Sequence, residues 1–147
     1  MTLVSIAGTL IVLMGFFILN SFNPVNSDNL VFAPSTNISL KAVKSPDGYH
    51  YAHTKGGKSV PSVAGSSPSI IVAKGNLVQI HLINEEKNLK DEPSKHNLNI
   101  DEFNVHTKEL SYFQTDSVLF LADKAGTFEY YCSVHSDMKG KITVMDK

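Results

Sequence analysis

Leu77-Val78-Gln79-Ile80-His81-Leu82-Ile83 decides the fold, because it alternates with a period of two: Leu77, Gln79, His81 and Ile83 take one face, and Val78, Ile80 and Leu82 the other. The second set is wholly apolar and is expected to face the core. Working outward, Lys74-Gly75-Asn76 on one side tolerates turn dihedrals, as does Asp123-Lys124-Ala125-Gly126 farther on, while Asn84 to Lys95 reads as a polar, charged loop. From Ile38 onward, short runs rich in Val, Ile, Tyr and Phe are broken by Gly, Pro, Asn and Ser, and none keeps a helical apolar period for the length of an ordinary helix. The expected strands are Ser39 to Val43, Tyr49 to His53, Ser69 to Val72, Leu77 to Ile83, His96 to Ile100, Val118 to Ala122, Gly126 to Tyr131 and Lys141 to Val144. Such a series suits a small all-β, two-sheet sandwich.

A chain of 147 residues has room for one domain with a real core. Ahead of that domain, Thr2 to Leu19 is uncharged and mostly apolar, just long enough to cross a bilayer as a helix and also compatible with the apolar region of a secretory signal. No Lys or Arg precedes Lys41, and Leu19 to Pro24 offers a poor cleavage site, so an uncleaved anchor is the favoured reading over a cleaved signal or a buried helix. The expected organisation is a membrane anchor or signal segment over 1–22, a tether over 23–37 rich in Asn, Ser and Pro, and a domain over 38–147. Asn37-Ile38-Ser39 matches a glycosylation acceptor, a motif short enough to arise by chance.

Charge excludes one class of partner. Lysines and acids nearly balance, for a net charge of -1, so no basic field exists for nucleic acid. The single cysteine excludes an internal disulfide and a Cys-x-x-Cys redox pair; outside the cytoplasm that thiol would have to be buried or bound to metal.

That cysteine opens the segment Cys132-Ser-Val-His135-Ser-Asp-Met138. A soft anionic sulfur, two imidazoles and a weak axial thioether form the donor set of an electron-transfer copper site. Cys132, His135 and Met138 are spaced so that one tight loop can wrap a metal, between the strand Phe128-Glu129-Tyr130-Tyr131 and Gly140. The second imidazole must come from a separate strand, for which His96 and His106 are both available. His96 is followed by Asn97, whose side chain could reach across to the cysteine loop and tune the sulfur. His81 reads as a half-exposed strand residue, and His50 and His53 as part of a hairpin or of a rim near the site.

With these motifs together, the stretch from about Ser39 to Val144 resembles a cupredoxin of the plastocyanin and amicyanin group. The His-Asn segment and the Cys-x-x-His loop closed by Met carry the resemblance, and the two residues between His135 and Met138 match amicyanin rather than plastocyanins, which usually have four. Ile70 to Val78 is similar to the family's strand pair ahead of the core, Ala125 to Cys132 to its approach to copper, and Met138 to Ile142 to its exit. Lys95 stands where plastocyanins commonly carry Pro, and the loop from Asn84 to Lys95 is longer and more charged than a minimal one. The resemblance implies a cupredoxin-like Greek-key β-sandwich holding one copper ion (Cu+/Cu2+), with His96, Cys132 and His135 as strong ligands and Met138 as the axial one.

The implied function is that of a blue copper protein: a reversible one-electron carrier, monomeric, working between redox donor and acceptor proteins associated with a membrane. Its domain would stand outside the cytoplasm on the N-terminal anchor, or be secreted or periplasmic if that segment is cleaved. No acid–base pair is spaced for substrate chemistry, so neither enzymatic activity nor a small-molecule substrate is expected. A copper-delivering module is the alternative, although the chain has no Met- or His-rich loading tract. An electron would leave by the outer edge of His135, with Val134 and Met138 in an apolar docking patch and Asp91, Glu92, Asp101, Glu102 and Asp137 as acidic steering groups.

Overall fold

The computed structural model describes residues 34–55, 58–59, 65–90 and 93–146. The expected anchor or signal, most of the tether, and Asp91 and Glu92 lie outside the described residues. In chain order the strands are β1 (Thr36–Ser45), β2 (Gly48–Lys55), β3 (Lys58–Ser59), β4 (Ser69–Ala73), β5 (Leu77–Asn84), β6 (Lys95–His96), β7 (Asn99–Ile100), β8 (Val105–His106), β9 (Leu110–Ser111), β10 (Thr115–Leu121), β11 (Gly126–Tyr131) and β12 (Lys139–Met145). One 3-10 turn, Asp101–Phe103, joins β7 to β8. Among the described residues no helix is long and apolar enough to cross a membrane.

The strands make an all-β sandwich. One sheet runs β10-β5-β1-β2-β3 and the other β4-β12-β11-β7-β8, while β6 and β9 form a separate two-stranded ladder. Each sheet holds a parallel pair, β1 with β5 and β4 with β12, among antiparallel neighbours. The alternation of β5 places Val78, Ile80 and Leu82 in the core, and the same period buries Ile38, Leu40 and Ala42 on β1 and Ile142 and Val144 on β12. Burying such side chains contributes about 1.5–3 kcal/mol each, which locks every strand's register, since a one-residue slip would expose the whole set.

Three expectations are adjusted. Strand β1 starts at Thr36, two residues inside the expected tether, because Thr36 and Asn37 pair with Val78 and Gln79 of β5. The stretch from His96 to Ile100 is not one strand: β6 pairs with β9 through His96 and Leu110, whereas β7 pairs with β11 through Asn99 and Tyr131, so the chain changes partner across Asn97 and Leu98. The stretch from Ile70 to Val78 is not a strand pair, because β4 and β5 belong to opposite sheets. The turn between them crosses over through Gly75 (φ 84°), whose N–H donates to Ala122 O.

Candidate metal centre

The site forms where two separate segments meet, the loop that follows β11 and the β6–β9 ladder. Cys132 directly follows β11 and is 2% exposed. Its N–H donates to Met138 O at 2.9 Å and the Met138 N–H donates to His135 O at 3.1 Å, so Cys132 to Met138 closes into one tight loop. His96, fully buried on β6, approaches from the small ladder. His135 is half-buried.

Donor atoms of His96, Cys132 and His135 all lie within 4.8 Å of one another, the only such group of His, Cys, Asp and Glu among the described residues. His135 Nδ1 stands 3.9 Å from Cys132 Sγ, about the separation of two donors sharing a metal at bonds of roughly 2.0–2.3 Å. His106 pairs with Asn99 on β8, is exposed, and does not join them. Met138 is completely buried at the loop's end, which corrects its expected place in a docking patch: its side chain belongs to the core, while Val134 is 42% exposed.

The polar surroundings set the tautomer of His96 and the charge of the Cys132 sulfur. His96 Nε2 lies 2.6 Å from Glu86 Oε2. A carboxylate can only accept, so in the neutral imidazole Nε2 carries the proton and Nδ1 keeps its lone pair. That Nδ1 atom is buried without a hydrogen-bond partner, a costly arrangement that a bound cation would satisfy. Burial works to lower the His96 pKa, but the neighbouring Cys132 sulfur and Glu86 carboxylate favour the charged ring and carry it above its ordinary value. Burial likewise works to raise the Cys132 thiol; His96 and the backbone N–H groups of Asn97, Val134 and His135 outweigh it and hold the thiol below its usual range. The donor set is therefore a sulfur disposed to ionise and two imidazoles, which fits a soft or borderline transition metal.

Asn97 makes the expected cross-link. Its Nδ2 donates to Ser133 Oγ at 2.7 Å, and the Ser133 N–H donates to its Oδ1 at 2.8 Å. Of the acids expected to steer partners, the three among the described residues are exposed and also make structural ties. Asp101 accepts from Tyr131 Oη at 3.0 Å, Glu102 pairs with Lys124 at 2.6 Å, and Asp137 accepts the Tyr49 N–H at 2.7 Å.

Two residues escaped the sequence reading, Glu86 and Tyr49. The ring of Tyr49 lies over His135, with centroids 3.8 Å apart, and stands 5.4 Å from His96. Its position follows from the hairpin: Gly48, at φ 120°, lets the β1–β2 turn press against Asp137, where a Cβ would fall 2.1 Å from Oδ2. The available signal was the period of two that puts Tyr49 on the face of Tyr51, whose hydroxyl donates to Asn97 O at 2.5 Å. A cleft of about 180 Å³ opens beside Tyr49, His135 and Val134.

The family described as cupredoxin-like domain matches residues 55–144. No curated protein sequence matches the chain. Among solved structures, reduced auracyanin from the photosynthetic bacterium Roseiflexus castenholzii aligns at a TM-score of 0.51 and 19% identity over 77% of this chain and 99% of that one. The periplasmic domain of cytochrome oxidase subunit II from Bradyrhizobium japonicum aligns at 0.53 and 15% over 78% and 87%. Copper nitrite reductase from Nitrosomonas europaea aligns at 0.52 and 28% over 76% of this chain, which spans only 42% of that enzyme.

Proposed function

This chain belongs to the cupredoxin-like domain family, and from that membership and its donor set we propose that it holds one copper ion on His96, Cys132, His135 and Met138 and carries single electrons between redox proteins. The observation that supports this most is the convergence of the His96, Cys132 and His135 donor atoms within 4.8 Å, drawn from a strand ladder and a separate closed loop. Bound copper supplies a one-electron couple between Cu+ and Cu2+. The protein's part is to hold its donors still: the β6–β9 ladder fixes His96, the loop hydrogen bonds fix Cys132 against Met138, and Asn97 ties the two segments together. Burial of Cys132 and His96 keeps water away from two of the donors, while half-buried His135, beside the cleft, gives an electron a short way to the surface. Transient redox encounters need only small interfaces, and exposed Val134 and Leu89 flank that route.

The finer assignment to the plastocyanin and amicyanin group rests on His96-Asn97 and on the two residues between His135 and Met138. The proposed placement is outside the cytoplasm, on an anchor over 1–22 and a tether ahead of β1, with membrane-associated donor and acceptor. Intact mass of membrane-extracted protein tests it; a soluble chain starting near Ser21 or Asn26 would contradict anchoring.

Copper-loaded protein is expected to show intense visible absorption from the thiolate, and Cys132→Ser to lose both the colour and much of the affinity. A colourless one-to-one copper complex of the unaltered protein would sink the reading. Stopped-flow mixing with membrane redox complexes then separates carrier from alternatives: slow electron exchange with rapid copper transfer to an apo-acceptor would point to delivery, and turnover of a substrate to an enzyme.

A further inference from the structure

The charged loop between β5 and β6 carries a carboxylate into the site. Glu86 is exposed over only 12% of its side chain, and its Oε2 meets His96 Nε2 at 2.6 Å. It is built in: the Glu86 N–H donates to Asn84 Oδ1 at 3.0 Å, Asn84 Nδ2 donates to Ser94 Oγ at 2.9 Å, and Ser94 Oγ stands 3.3 Å from the same Glu86 oxygen. The Ser94 hydroxyl has two acceptors in reach, Asn84 Oδ1 at 3.1 Å and that carboxylate oxygen at 3.3 Å. Asn84 is itself buried and donates to Leu110 O at 2.9 Å, on the strand that pairs with His96. The network therefore ties the end of β5, the loop and the β6–β9 ladder to one imidazole nitrogen.

Building on the copper-carrier reading, we propose that Glu86 is a positioning and tuning residue, which fixes the His96 ring with Nδ1 towards Cys132 and His135 and strengthens that nitrogen as a donor. A charged acceptor on Nε2–H sends electron density into the ring, as carboxylate–imidazole–metal chains do. The stronger donor favours Cu2+ over Cu+, so Glu86 holds the reduction potential down. Glu86 does not touch the metal in this arrangement; it acts through His96.

Glu86→Gln keeps an acceptor of the same length and removes its charge, and Glu86→Asp keeps the charge and withdraws the oxygen by one carbon. Both variants are expected to lower the ratio of cupric to cuprous affinity, for Glu86→Gln by about tenfold, which for a one-electron couple raises the potential by about 59 mV. Nitrogen NMR of the metal-free protein, at a pH where the ring is neutral, gives a second readout: His96 keeps its proton on Nε2 in the unaltered chain and divides between tautomers in Glu86→Asp. Copper binding measured on unaltered protein comes first. If that protein fails to form a coloured complex, the carrier reading fails; if it is coloured and both variants keep its potential and its His96 tautomer, the role of Glu86 alone is overturned.

Discussion

Among single side chains, Asn97 links the two parts of the centre. It follows a donor on one segment and exchanges two hydrogen bonds with Ser133, which follows the cysteine on the other. Because Ser133 is exposed, water can replace part of what is lost, and at roughly 0.5–1.5 kcal/mol per net hydrogen bond Asn97→Ala should cost about 1–2 kcal/mol. Urea unfolding of the metal-free protein is expected to show a lower midpoint at unchanged slope, since the surface exposed on unfolding is the same. Cys132 and His135 were legible because their loop is contiguous in sequence. Glu86 and Tyr49 were not: nothing in the local pattern of either says which imidazole it will meet, and only the packing of a loop and a hairpin against β6 and the cysteine loop brings them there.

Along the strands, the approach to Cys132 depends on one close fit. Gly140 of β12 lies opposite Tyr130 of β11, and a Cβ at Gly140 would fall 2.4 Å from the Tyr130 ring. That ring has little freedom to yield, because its hydroxyl donates to Pro68 O at 2.5 Å and its face stands 5.2 Å from Tyr51. Gly140→Ala is therefore expected to destabilise the domain by about 1–3 kcal/mol, as overpacking does, read as a lower thermal midpoint. Combining it with Tyr130→Ala should cost less than the two separate losses added together, because the second change removes the clash. The longer strands were readable from their alternation. The two-residue strands β3, β8 and β9 were not, since so few residues carry no period and exist as strands only through their partners.

For the domain as one body, the buried tyrosines set its response to alkali. Burial pushes Tyr51 far above the ordinary phenol range, with Cys132 and Tyr130 adding to it, and burial also raises Tyr130. In the unfolded chain both titrate near pH 10. Above that pH the native state keeps protons that the unfolded state releases, so stability falls as pH rises, by up to about 1.4 kcal/mol per pH unit for each tyrosine. Denaturation followed from neutral to strongly alkaline pH is expected to show this decline starting near pH 10. Tyr51→Phe should be less stable at neutral pH, having lost its bond to Asn97 O, and should decline with a shallower slope. An equal slope in the two proteins would show that Tyr51 ionises while the fold is intact.

Composition and the period of two were enough to make this a β-sandwich, because a strand with one apolar face has to bury it whatever its neighbours are. The spacing of Cys132, His135 and Met138 was enough to suggest a metal loop, because a tight loop gathers donors that are close in sequence. Pairing belonged to the tertiary structure: which strand lies beside which, the change of partner after His96, and the crossing from β4 to β5 between sheets. So did the surroundings of the donors. Glu86 reaches His96, ten positions farther along the chain, and Tyr49 reaches His135 from the far end of the domain's sequence. Such contacts depend on how whole strands pack, and no local pattern of residues encodes that.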